Sequence, residues 1–340
     1  MRAVLAVAVL ACAALASCAA RPPAAETLLS GETMGSAWTV KVVGDLSRSP
    51  EDLRAGIQSR FEAVNLALST WRQDSALSKF NASETGEWQE VDPELAAVMV
   101  YALSLAEASG GSYDITVGPL VNLWGFGPDP ATHRVPDAAA LARAKARVGW
   151  RQVEVDVARH RARKPPGVYV DLSSLGKGRG VDRVAEYLDA QGVANYLIDL
   201  SGKLRARGRN ARGSAWRVAV ERPSADAATG EADMDPVIVT LRDSSVATAG
   251  DYRRYFEAGG RHYSHIIDPR TGEPVSHHTV SATALASDCM QADALATMFM
   301  VMPPEEALTL AARRKLAALM IAREDLGFRQ RTSQAWDEAM

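Results

Sequence analysis

Residues 168–188 read VYVDLSSLGKGRGVDRVAEYL: an apolar run, a stretch rich in Ser and Gly, then an amphipathic tail. That order predicts a strand, a tight turn and a helix from about Val181. Backbone N–H groups at such a helix start form an anion site, and Lys177 adds positive charge. The stretch is not a Walker A loop, because Gly178 stands where that loop needs Ser or Thr after Gly176-Lys177. Nor is it a Rossmann fingerprint, since Gly176, Gly178 and Gly180 are spaced G-x-G-x-G. A strand-to-helix turn with no ligand satisfies the same local pattern.

Outward from this segment the chain mixes strand-like and helix-like runs. SAWTVKVVG (36–44) alternates like a strand. Ser49 reads as an N-cap, Pro50 as the first helical residue and Glu51-Asp52 as first-turn acids of a helix to about Leu68. PELAAVMVYALSLAEAS (93–109) is a second helix, stopped by Gly110-Gly111, and PDAAALARAKARVG (136–149) a third. β-rich runs follow at VEVDV (153–157), YLIDL (196–200), WRVAV (216–220), VIVTL (237–241) and HYSHII (262–267). They interleave with helical patterns at DCMQADALATMFMVM (288–302) and PPEEALTLAARRKL (303–316). Strands partly grouped and partly alternating with helices predict an α+β fold of mixed sheets with flanking helices, not a doubly wound sheet. ERPSADAATGEADMDP (221–236) reads as the polar tip of a hairpin joining WRVAV to VIVTL.

The N-terminus sets the expected address. Residues 1–17, MRAVLAVAVLACAALAS, read as a secretory signal, too short and weakly flanked for a lasting transmembrane helix. Leu15-Ala16-Ser17-Cys18 matches a lipoprotein cleavage pattern, so Cys18 is the expected acylated residue, with residues 18–27 as tether and 28–340 as the globular domain. An ordinary cleavage site with an incidental Cys is the alternative. Of three cysteines, Cys12 leaves with the signal and Cys18 carries lipid, so Cys289 is left without a disulfide partner. Its neighbours Asp288 and Met290 bring no cation to activate a thiol, so burial is expected. A net charge of −3 with no basic patch excludes nucleic acid as the partner class.

Two further stretches carry possible chemistry. In QADALATMFMVM, Asp293 interrupts an apolar helical pattern where an unpaired carboxylate is costly, and Thr297 follows one turn later on the same face. A carboxylate and a hydroxyl placed so suit a hard cation such as Mg²⁺; an Asp bonded to a neighbouring loop fits equally. In VATAGDYRRYF, Gly250 marks a turn, and Arg253 and Arg254 face either phosphate or solvent. RHYSHIIDPRTGEPVSHH (261–278) then holds four of the six histidines. His262 and His265 are three apart, so a strand sends them to opposite faces, where they cannot share a metal. His277 and His278 lie past the Asp268–Gly272 turn and are expected to be solvent-exposed. His265, beside Ser264, Ile266 and Ile267, is the candidate for a partly buried base; a satisfied structural histidine is the alternative.

Taken together, the runs ETMGSAW, STWRQDSALSKFN, GGSYDITVGPLVNLWGFGP, VDLSSLGKGRGVD, VATAGDYRRYF, YSHIIDPRTGEPV and ADALATMFMVM give the chain a resemblance to the ApbE family of periplasmic lipoprotein flavin transferases, the FAD:protein FMN transferases. The resemblance implies an ApbE-like fold with FAD bound between two joined lobes. It also implies an enzyme that binds FAD and Mg²⁺, moves FMN onto a Thr or Ser of a target protein, and releases AMP. By the same likeness Met34, Trp71, Ser112, Tyr113, Asp114, Asp171, Lys177 and Ile267 would line the FAD site. Ser174 or the Gly176 carbonyl, with Asp293 and Thr297, would hold the metal, and His265 would deprotonate the acceptor. Trp71, Tyr113, Trp124 and Phe126 would give the flavin an aromatic lining. The implied partners are flavoprotein subunits of Nqr/Rnf-type redox pumps, and the implied location is the periplasmic side of the inner membrane. Ala19, however, lacks the Asp after the lipid Cys that favours inner-membrane retention.

The chain departs from the family pattern at three places. Ser173 and Ser174 stand where glycines are common, Ala296 where some members carry a second Asp, and Ala249 where Ser is common. These put the metal shell in question more than the activity. An FAD pyrophosphatase with water as acceptor, and a flavin storage protein, are the rival expectations.

Overall fold

The chain enters its first sheet through β1 (Glu26–Thr33) and β2 (Ser36–Val43), joined by the two-residue turn Met34-Gly35. Both turn residues have positive φ, 48° and 68°, which matches the right-handed twist of the flanking strands. The structure, a computed structural model, describes residues 24–127, 133–220, 236–251, 255–324 and 327–340. Cys18, the Arg253-Arg254 pair and the hairpin tip 221–235 lie outside these residues.

A long excursion follows. It holds α1 (Pro50–Leu68), α2 (Ala76–Ala82), β3 (Gln89–Glu90), α3 (Pro93–Ala108), α4 (Gly118–Leu123), α5 (Ala138–Lys145), β4 (Glu154–Asp156), β5 (Arg161–Arg163) and α6 (Ser173–Ala190). α1 has the predicted start: the Ser49 hydroxyl accepts the Asp52 N–H at 3.1 Å, with Pro50 in the first turn. α3 ends before Gly110 and Gly111, whose φ values of 64° and 86° supply the left-handed stop. The chain returns through β6 (Tyr196–Leu200) and β7 (Lys203–Arg207), then the hairpin β8 (Trp216–Val220) with β9 (Val237–Leu241). β10 (Ser245–Gly250), the hairpin β11 (Tyr255–Ala258) with β12 (Arg261–Ser264), and β13 (Thr279–Ala286) come next. α7 (Cys289–Val301), α8 (Pro304–Arg314), β14 (Ala317–Glu324), β15 (Gly327–Thr332) and α9 (Gln334–Ala339) complete it.

The main sheet has eight strands in the order β1-β2-β6-β7-β10-β13-β14-β15, and each neighbouring pair is antiparallel. Helices α1, α6 and α7 cover one face, over two apolar clusters that include Phe61, Val184, Leu188, Met298 and Phe299. Trp216, Val239, Leu241 and Trp336 pack against the other face, from the β8–β9 hairpin and α9. This is the expected α+β architecture.

One expectation about the opening segment fails. Residues 168–172 form no strand, and the helix starts at Ser173 rather than near Val181. The Asp171 carboxylate accepts the Ser173 N–H at 2.8 Å and closes the first turn. Gly176, Gly178 and Gly180 are therefore helical, and two of them serve close packing. A Cβ at Gly178 would overlap the backbone of Cys289 and Met290, and one at Gly180 would lie 3.0 Å from the Phe61 ring. Neighbouring helices thus hold in helical form a run that by itself reads as a turn.

Candidate functional site

The seam between α6 and α7 buries two carboxylates, Asp182 and Asp293. Asp293 is only 3% exposed. Its Oδ2 accepts the Gly178 N–H at 3.0 Å, and its Oδ1 lies 3.2 Å from the Lys203 ammonium of β7. Burial pushes the Asp293 carboxyl up, while Lys203 and the Gly178 N–H pull the other way. Lys203 also donates to the Thr248 carbonyl of β10. The Thr297 hydroxyl donates to the Asp293 backbone carbonyl at 3.2 Å, the usual back-bond of a helical threonine one turn on.

Around this seam the structure gathers several other expected residues. Ser174, in the first turn of α6, bonds the Tyr113 phenol at 2.7 Å. Tyr113 is buried, which pushes its phenol well above the ordinary range. The Asp171 N–H donates to Ile115, tying the start of α6 to the Ser112–Thr116 segment. Lys177 donates to Ser36 at 3.0 Å, just past the Met34-Gly35 turn. The Met34 methyl lies 3.4 Å from where a Gly180 Cβ would stand. Ser112 is fully buried with no hydrogen-bond partner for its hydroxyl. Asp114 is already engaged: it accepts from the Thr116 N–H at 2.7 Å, the Thr116 hydroxyl at 2.6 Å and the Trp150 N–H at 2.9 Å. Burial still pushes its carboxyl up.

The remaining expected residues come from other segments. Trp71 is 64% exposed, its backbone N–H held by the Ser69 hydroxyl. His265 lies just past the end of β12, half-buried, its ring edge-on to Phe126 at 6.2 Å. Ile267 is buried and bridges to Pro274 across the turn. Trp124 and Phe126 belong with Ile267 to one apolar cluster, packed on Phe256, whereas Tyr113 belongs to the cluster under α3 and α7. Of the four aromatics expected to line the flavin, two thus share one cluster, Tyr113 belongs to another, and Trp71 is exposed. The Trp124 indole N–H donates to Gly272 at 2.9 Å and fixes the turn against this layer.

Of the other histidines, His262 stacks on Tyr255 at 4.4 Å, and His278 is exposed as expected. His277 is not. It is half-buried, with Nε2 3.4 Å from the Val301 carbonyl, because the end of α7 packs over it. Burial pushes its imidazole down. Cys289 is buried as expected, and its thiol is pushed well up.

Sequence reading missed Lys203, Asp182 and Arg205. Asp182, buried on α6, accepts the N–H groups of Cys289 and Met290 at 2.8 Å each and pairs with Arg205 of β7. It caps the first turn of α7 from a distant segment. KLRAR (203–207) carried the signal: three cations, Lys203, Arg205 and Arg207, on one face of a strand packed under helices require acids opposite.

Among the described residues no three His, Cys, Asp or Glu side chains gather at one point. A cation here would rest on one carboxylate, Asp293, with the Ser174 and Thr297 hydroxyls and the Gly176 carbonyl. That all-oxygen set fits Mg²⁺, which keeps several waters and takes further ligands from substrate phosphates. The space beside Gly176 is open, since a Cβ there would meet nothing within 4 Å. No helix among the described residues is long and apolar enough to cross a membrane.

Comparisons with known proteins bear on the family and the fold. The chain is 39% identical over 328 residues to a protein of Klebsiella pneumoniae (strain 342) named FAD:protein FMN transferase, covering 94% of this chain and 92% of that one. The solved structure of the flavin transferase ApbE from Vibrio cholerae superposes with a TM-score of 0.85 at 38% identity, over 94% of this chain and all of that one. The apo form of the Pseudomonas stutzeri flavinyl transferase ApbE gives a TM-score of 0.85 at 36% identity, over 93% and 97%. The model of the ApbE family matches residues 34–320, a span that holds the α6–α7 seam, the Met34-Gly35 turn and His265, and the chain belongs to that family.

Proposed function

We propose that the chain is a Mg²⁺-dependent FAD:protein FMN transferase that attaches FMN through a phosphoester to a Thr or Ser of a target flavoprotein and releases AMP. The observation that carries this reading is the meeting of Asp293 with the Lys177-bearing turn of α6, beside the Tyr113–Ser174 pair. Relatives that span more than nine-tenths of the chain carry the same activity in their names.

Each residue has a task in that reaction. Lys177, steadied by Ser36, sets an ammonium against the pyrophosphate. The exposed Trp71 ring offers a stacking face for an aromatic ring of FAD. Asp293, Thr297 and the Ser174 or Gly176 oxygen would hold Mg²⁺, which when bound would supply Lewis-acid stabilisation of charge on the phosphates. A ring nitrogen of His265 takes the proton of the acceptor hydroxyl as its oxygen bonds to the FMN phosphorus. The bond from that phosphorus to the bridging oxygen breaks, and AMP leaves. Docking of the target protein would exclude water, so that hydrolysis is a slow leak.

The expected targets are flavoprotein subunits of Nqr/Rnf-type redox pumps, and the expected location is the periplasmic face of a membrane, through a lipid on Cys18. The test mixes purified protein, FAD and Mg²⁺ with a target domain carrying the acceptor Thr, and follows AMP and the target's intact mass. AMP release matched by FMN on the target supports transfer. AMP with free FMN, at the same rate with or without target, makes the enzyme a pyrophosphatase. FAD binding without AMP makes it a storage protein. D293A and H265A should each abolish turnover, the former together with its Mg²⁺ dependence.

A further inference from the structure

We propose that Lys203 is a built-in counter-cation of the Asp293 site, one that weakens divalent-cation binding to the free enzyme and so couples it to arrival of a pyrophosphate ligand. The identity of that ligand rests on the transferase reading above. The Lys203 ammonium lies 3.2 Å from Asp293 Oδ1, and the two side chains are only 13% and 4% exposed, so water screens the pair little. The ammonium is held from its other side by the Thr248 carbonyl, and the second carboxylate oxygen by the Gly178 N–H. β7 presents Arg205 in the same way to Asp182, so one strand face supplies a cation to each of the two buried acids of the α6–α7 seam.

The consequence is electrostatic. A buried carboxylate with no cation nearby would attract a dication strongly. Asp293 is already neutralised, so an incoming dication meets a balanced pair and the repulsion of a fixed ammonium. Even with the moderate screening of a protein interior, that repulsion should weaken binding by at least about tenfold. A pyrophosphate bearing two negative charges reverses the balance. With it present, Lys203, Lys177 and the dication face Asp293 and two phosphates, and the dication binds with the nucleotide rather than ahead of it.

The test uses Mn²⁺ as probe and ADP as an unreactive pyrophosphate, with free Mn²⁺ measured by electron paramagnetic resonance and binding counted only beyond the Mn²⁺–ADP complex that forms without enzyme. Wild type should bind Mn²⁺ weakly alone and at least about tenfold more tightly with ADP. K203M, and K203Q, which keeps a donor toward Asp293, should bind Mn²⁺ alone about tenfold or more tightly than wild type, with a smaller gain from ADP. Variants that bind Mn²⁺ no more tightly than wild type would overturn the proposal and leave Lys203 a structural counter-ion. Wild type binding Mn²⁺ equally well with and without ADP would overturn it too, a result that stands even should both variants fail to fold. D293N provides the control: binding like that of wild type would remove the cation site itself. Failure of FMN transfer in the preceding experiment would leave these binding results unchanged, so the two readings fail separately.

Discussion

The α6–α7 seam and the turn from His265 to Val275 contribute to the same family signature but are built in opposite ways. In the seam, buried polar groups find partners far away in sequence: Gly178 with Asp293, Asp182 with Cys289 and Met290, Lys203 with Asp293. In the turn most partners are local, with Trp124 on Gly272 and Glu306 beside Arg270 the distant ones. Asp268 receives the N–H groups of Arg270 and Gly272, and the Val275 N–H reaches Ile266. A seam of distant partners is cooperative and costly to break, whereas a turn of local bonds resting on an aromatic layer tolerates loss of any one.

The largest effect should come from D182A. It leaves Arg205 partly buried without its carboxylate and takes the acceptor from the Cys289 and Met290 N–H groups, with Asp288 still capping α7, and a loss of about 4 kcal/mol in denaturant unfolding is expected. A loss below about 1 kcal/mol would show the seam to be no more cooperative than the turn. G178A comes next. Its methyl meets the Cys289 backbone and must part the helices, which should cost about 2 kcal/mol by thermal melting despite alanine's better helix propensity. His277 links the two regions, since it follows the turn and touches the end of α7. Its folded pKa is depressed, so folding favours the neutral ring. Its contribution is complete above the unfolded value of about 6.5 and is lost as pH falls from there through the lower folded value. H277Q should flatten that part of a stability-against-pH curve, by less than the effect of G178A. The smallest change belongs to R270A, which removes a half-exposed pair with Asp268 and should cost about 0.5 kcal/mol. A cost there matching D182A would erase the contrast.

Legibility in the sequence follows the same division. The Ser49-Pro50 helix start, the Gly110-Gly111 stop and the β8–β9 strands depend on neighbours in sequence and were readable. The start of α6 was not, because Ser173–Gly180 is helical only with α7 and α1 packed on it. β13 was missed for a related reason: it is buried along most of its length, carries mostly small residues, and shows no alternation. The helical spacing of Asp293 and Thr297 pointed to a cation site. The ammonium beside Asp293 comes from β7; KLRAR signals that acids must lie opposite it, but not that Asp293 is one of them.

The order of strands in the main sheet has a consequence for assembly. The strands lie side by side in the order in which the chain makes them, and consecutive ones mostly pair across short connections or a hairpin. The join between β2 and β6 is the long interruption. There Val42 pairs with Tyr196 across six intervening helices. Closing so large a loop adds little to the equilibrium cost, about 0.6 kcal/mol for each doubling of length, but it slows the search. Trp71, Tyr113, Ser174 and Lys177 lie inside that loop, while Asp293, Thr297 and His265 lie beyond it. That slow pairing is the one that seats Ser36, beside the Met34-Gly35 turn, against Lys177 of α6.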